Sequence, residues 1–201
     1  MANQIQDGTG SGNRARVDEN FRLHTQATTA SSGFVANREG DAYNVNTGVI
    51  TLTDDADTPI LYLKNNEVRD LRIEAIAVGV GPTTGGSGGI PKITVVRNPT
   101  IGTIITSTPT DVDINSNRNY GSSNTLSVNA YKGATGDTMT NGDDHLILFQ
   151  TSSGRLFATI DEVLPTGASI GVKFDPQTGN TSQDVYCALI CYLDDDAGDN
   201  S

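Results

Sequence analysis

Apolar and polar side chains alternate along this chain in short runs, as in Leu71, Ile73 and Ala75 or Leu146 and Leu148. A period of two places alternate side chains on one face of a strand. Such runs recur as AYNVN, VITLT, PILYLK, LRIEAIAVGV, KITVVRN, TIIT, TLSVNAYK, HLILFQ, RLFATI, ASIGVKF and DVYCALICYL. NFRLHTQATT precedes them, with Phe21, Leu23 and Thr25 on one face. Each run is predicted to be a strand. The junctions are rich in Asn, Asp, Ser, Gly and Pro, which favour tight turns. NNEVRD reads as a polar turn, and Thr47-Gly48 reads as a two-residue hairpin turn with Gly supplying positive φ. No segment keeps a capped 3.6-residue apolar period, so no helix is expected to cross between parallel strands. The fold class predicted is all-β: an antiparallel β-sandwich, jelly-roll-like.

Residues 1–19 are polar and Gly-rich and are expected to form an extended N-terminal arm. Residues 20–193 carry the jelly-roll-like domain, and 194–201 form an acidic tail.

Composition sharpens this picture. Only 35% of the 201 residues are hydrophobic and the formal net charge is -11, a combination that in isolation suggests disorder. The clustering and alternation of the apolar residues argue instead for a folded chain. Basic residues are scarce, and the four lysines (Lys64, Lys92, Lys132, Lys173) are scattered, which argues against binding nucleic acid through phosphates. No apolar stretch approaches the ~20 residues that span a bilayer, so no membrane partner is expected. The start, MANQIQDGTGSGNRARVDEN, has no apolar core of a secretory signal. Cys187 and Cys191 lie four residues apart on a strand, roughly 13 Å, beyond the reach of a disulfide. They are expected to be reduced core residues.

Candidate chemistry is thin. The Gly-rich loop from Gly79 to Gly89 leads into Pro91 and a strand, whereas phosphate-binding loops open a helix. Asp111, Asp113 and Asn115 alternate as calcium ligands do, yet Ser116 and Ser122 stand where an EF-hand needs Gly and Glu. An exposed turn held by side-chain to backbone hydrogen bonds is the simpler reading of this stretch. The histidines are His24 and His145, each inside a strand pattern, and no G-x-S-x-G elbow accompanies them. Asp161 and Glu162 are adjacent carboxylates with nothing to single them out for glycoside cleavage. No enzymatic activity and no cofactor are expected.

The phrases DAYNVNTGVITLTDD, ILYLKNNE, RNPTIGTII, NSNRNYGSSNTLSVNAYKGATGDTMT and GASIGV…TGNTS carry a resemblance. From about Val17 to Leu193 the chain resembles a family of virion structural proteins of tailed bacteriophages, particularly marine ones. That resemblance implies an acidic, Thr- and Asn-rich particle component that is assembled in the host cytoplasm. It points to capsid decoration, with a head-fibre, tail or receptor-binding part as the alternative. The partners implied are the major capsid protein or another virion protein, and further copies of the chain as a homotrimer. In that setting the arm around Arg14 and Arg16 would lie on a neighbouring subunit.

Overall fold

The computed structural model describes residues 4–6, 14–17, 23–24, 30–82, 84–85, 90–106, 110–150, 154–176 and 182–194; the first three stretches and 113–116 are described by their backbone. The chain divides into two units, Met1–Ser31 and Ser32–Ser201. The first contains β1 (Gln4–Gln6), β2 (Arg14–Val17) and β3 (Leu23–His24), an antiparallel sheet in the order β1-β2-β3. Of the acidic tail, Asp194 is described and the remainder lies outside the described residues.

The second unit runs α1 (Ser32–Glu39), β4 (Ala42–Asn46), β5 (Ile50–Leu52), β6 (Thr58–Asn65), β7 (Asp70–Val80), β8 (Lys92–Arg97), α2 (Thr103–Thr106), β9 (Thr110–Asp111), β10 (Asp113–Asn117), β11 (Val128–Lys132), β12 (Asp143–Phe149), β13 (Gly154–Leu164), β14 (Ser169–Asp175) and β15 (Gln183–Asp194). One sheet has the order β10-β4-β15-β7-β13, with β5 also on β15, and the other has the order β12-β8-β14-β6-β11-β9. Four antiparallel pairs define the ribbon: β4 with β15, β6 with β14, β7 with β13, and β8 with β12. Outermost strands pair with outermost and innermost with innermost, as in one long hairpin. Rolling that hairpin adds the pairings β15–β7 and β14–β8. This is a jelly roll, and the antiparallel sandwich read from the sequence is the fold observed.

The core lies between the sheets. Leu61, Leu63, Ile73, Ile76, Val78, Ile93, Val172, Phe174, Leu189 and their neighbours are fully or almost fully removed from solvent. Cys187 and Cys191 are free thiols within it, as the strand spacing predicts. A second, smaller cluster of Tyr62, Val96, Ile104 and Met139 covers the outer face of the β6–β8 sheet, with Tyr131 stacked 6.0 Å from Tyr62. A third unites Ala36, Ala42 and Tyr192 beneath α1.

Three local expectations are corrected. TIIT is a single helical turn, α2, because Ile105 and Thr106 both donate their amides to Gly102 O and the Thr106 hydroxyl joins them. Its β-branched run resembles a strand, but it follows Gly102, whose φ of 148° favours glycine. SGFVANRE is the helix α1, closed by Gly40 at φ 86° as Asp41 donates its amide to Ala36 O. Gly33 and Ala36 are its buried positions, too small to register as an apolar stripe. Thr47-Gly48 is no hairpin turn either. β4 and β5 both run antiparallel to β15, so the chain continues along one partner through a kink.

Candidate functional site

The two long strands that end the sheets on one side of the sandwich, β12 and β13, form the most exposed apolar feature described. β12 pairs with β8 and β13 with β7, and no further strand pairs with either among the described residues. Their burial alternates between exposed and half-exposed, and of all their residues only Leu164 is buried. Leu146, Leu148, Leu156, Ala158 and Ile160 turn toward the core without being fully covered. Ile147, Phe149, Phe157 and Val163 face solvent at 48%, 60%, 52% and 46% exposure.

One contact bridges the sheets at this edge. His145 Nε2 on β12 lies 2.6 Å from Glu162 Oε1 on β13, with both side chains partly exposed. Behind it is a cavity of about 250 Å³ lined by Val95, Arg97, Leu164, Ile170 and the His145–Glu162 pair. A β-bulge between Thr159 and Glu162, with Asp161 at φ 50°, turns the adjacent carboxylates apart. Asp161 instead accepts from Arg72 Nε at 2.9 Å, and that guanidinium holds its carboxyl below the ordinary range. The two carboxylates thus face different partners, Arg72 and His145. Among the described residues the side-chain partner of His145 is Glu162, a dyad with no hydroxyl or thiol bonded to it. It latches the two sheets together at this edge.

The calcium candidates are distributed between the sheets. Asp111 is exposed on β9, whereas Asp113 and Asn115 lie on β10, and Val112 between them is buried at 6% exposure. The stretch is therefore a strand passing from one sheet to the other and not the exposed turn expected. The alternation came from that crossing: a buried Val112 anchors it while polar residues flank it. The side chains of Asp113 and Asn115 lie outside the described residues, as do those of Arg14, Arg16 and His24. Among the described residues no group of three or more His, Cys, Asp or Glu side chains is gathered to hold a metal ion. Of the Gly-rich loop, Gly79 belongs to β7 and residues 83 and 86–89 lie outside the described residues.

A second surface went unread in the sequence. Phe34, Asn37 and Arg38 of α1 and Arg118, Asn119 and Tyr120 of the turn after β10 line a groove of about 430 Å³. Tyr120 is fully exposed, and Arg118 is tied to Glu74 at 2.9 Å. It depends on α1, so a strand-only reading had no way to assemble it.

No family model matches the chain, and no curated protein matches it. Among solved structures it is similar to one described as "Structure of infectious bursal disease virus Gt strain", at TM-score 0.21 and 10% identity, over 98% of this chain and 50% of that chain. The chain thus spans half the length of that neighbour. A TM-score of this size establishes no shared fold.

Proposed function

We propose that this chain is a structural component of a bacteriophage virion, a capsid decoration (cement) protein that binds the outer shell and stabilises it. The sequence resemblance over 17–193 supports this reading. The structural observation that carries it is the apolar edge of Ile147, Phe149, Phe157 and Val163, a surface suited to non-covalent contact. A cement protein acts by linkage: whatever binds the assembled shell and not its dissociated subunits stabilises the shell by mass action. Its partners are the major capsid protein or a neighbouring virion protein, together with further copies of itself. Particles lacking this protein, mixed with the purified chain, should regain density over the icosahedral faces and melt at higher temperature. Particles that neither bind it nor gain stability would sink the reading.

A second reading, a head-fibre, tail or receptor-binding component, is favoured by the groove under Tyr120. An exposed aromatic beside Arg38, Asn37 and Asn119 offers a stacking face and hydrogen-bond donors to a host glycan or adsorption protein. Density at one vertex or on an appendage would support this reading over decoration, and so would Tyr120→Ala abolishing adsorption to host cells.

A further inference from the structure

We propose that the edge formed by β12 and β13 is a self-association surface that receives a second copy of this chain across a two-fold axis. The inference deepens the self-association expected of a particle component and rests on the fold, so it stands or falls in solution without any capsid.

The edges on the far side of the sandwich are blunted. β9 is two residues long, and β10 is the polar DINSN interrupted by a bulge between Asp113 and Ser116. Short, polar and bulged edge strands discourage further pairing. β12 and β13, at seven and eleven residues, are long and carry apolar residues on both faces. Their own bulges, at Asp144/Leu146 and Thr159/Glu162, lie toward one end. Residues 146–149 and 154–159 remain regular, and among the described residues no further strand pairs with them.

Charge selects the occupant. The His145–Glu162 contact puts the start of β12 beside the end of β13, so the 150–153 connection joins their other ends. At the first end lie Asp143, Asp144 and Asp161. Arg97 faces Asp143 at 3.9 Å with both side chains exposed, Arg72 pairs with Asp161, and Lys173 is shared by Asp57 and Asp144, so four carboxylates meet three cations there. At the opposite end stands exposed Arg155, over the Phe157 ring at 5.7 Å and without a carboxylate partner among the described residues. A second copy turned by 180° brings its acidic end to this Arg155 and its own Arg155 to the first copy's acidic end. An isologous contact requires this self-complementarity. Phe157, beneath the cation, and Phe149 at the end of β12 then meet apolar residues of the partner's strands. This closed two-fold pair stands in place of the homotrimer that the sequence resemblance implies.

Sedimentation velocity on the purified full chain, across a hundredfold concentration range, tests this directly. The expected result is a reversible dimer, weakened at least tenfold by Phe157→Glu and by Ile147→Lys, with unchanged circular dichroism and melting. Arg155→Glu should weaken it as well, and by less at high salt because screening has already removed the charge contribution. A monomer at every concentration overturns the proposal. So does a trimeric mass, or a dimer that none of the three substitutions disturbs. Shell binding by a chain that stays monomeric leaves the decoration reading standing while this inference fails. A dimer that binds no shell does the reverse.

Discussion

Thr47 and Cys187 satisfy each other's backbone across the β4–β15 junction: the Thr47 amide donates to Cys187 O at 2.9 Å, and the Cys187 amide donates to Thr47 Oγ1 at 2.9 Å. The hydroxyl in turn donates to Gly48 O at 2.8 Å. This explains why the chain does not fold back at Thr47-Gly48. The kink stays seated on β15, and Gly48 at φ 66° redirects the strand into β5. Thr47→Val keeps the shape and removes the acceptor, leaving the buried Cys187 amide unpaired. It should cost about 1–3 kcal/mol in urea unfolding, whereas Thr47→Ser should cost less than half as much.

The same junction shows how far the sequence could be read. The alternation in LRIEAIAVGV and ASIGVKF made strands legible because one face of each is buried, and the antiparallel class followed, whereas the count missed β9 and β10 and included the helical TIIT. Thr47-Gly48 has hairpin chemistry, and only the distant partner strand reveals that it is a kink. HLILFQ and RLFATI read as strands like the rest, because apolar runs do not say whether either face is covered. α1 was hidden for the converse reason, since it packs through Gly33 and Ala36 and presents Phe34 to solvent. The Tyr120 groove went with it.

Gly133 and Gly171 test the close approaches that the β6–β8 sheet requires. A Cβ on Gly133 would meet the Pro59 carbonyl oxygen, a backbone atom that cannot swing aside. On Gly171 it would meet the Met139 thioether, which is flexible. Gly133→Ala should therefore destabilise by about 3 kcal/mol or more, in the range of severe backbone clashes. Gly171→Ala should cost clearly less, and Met139→Ala in the same chain should relieve part of that cost. Equal melting losses for the two glycine variants would show that the sheet adapts more than this geometry allows.

Alkaline pH should unfold this protein early. Burial pushes the Cys191 thiol up to about 12, raises Cys187 further, and raises Tyr43 to about 12. A thiol whose folded pKa lies above its unfolded value of 9.0 contributes stability that is intact below that value and lost as pH rises toward the folded one. Between pH 9 and 12 each thiol should therefore remove on the order of 1 kcal/mol per pH unit. Chemical denaturation at pH 7, 9, 10 and 11 checks the slope, and Cys187→Ala with Cys191→Ala should flatten it. At pH 8 neither thiol should react with a thiol reagent until the protein unfolds, and then both should react together.

Asn65 is the polar residue on which the end of the sandwich near the His145–Glu162 latch depends. It is fully buried, yet its Nδ2 donates to Arg69 O at 3.0 Å and Leu164 O at 2.9 Å. Its Oδ1 accepts from the Glu67 amide at 2.9 Å. One side chain thus closes the 66–69 turn and pins the last residue of β13, just beyond Glu162. Asn65→Leu keeps the branching at Cγ but adds bulk and deprives two carbonyls and an amide of their side-chain partner, a loss of about 2–4 kcal/mol if two of the three stay unsatisfied. Asn65→Asp keeps the acceptor for Glu67 but turns Nδ2 into an oxygen facing two carbonyls, so it should be at least as damaging at neutral pH. Amide exchange gives the localised readout. Both variants should speed exchange at Glu67 and at the β13 end near Leu164 before the β7–β15 centre loosens, and uniform acceleration across the sandwich would refute a local role for Asn65.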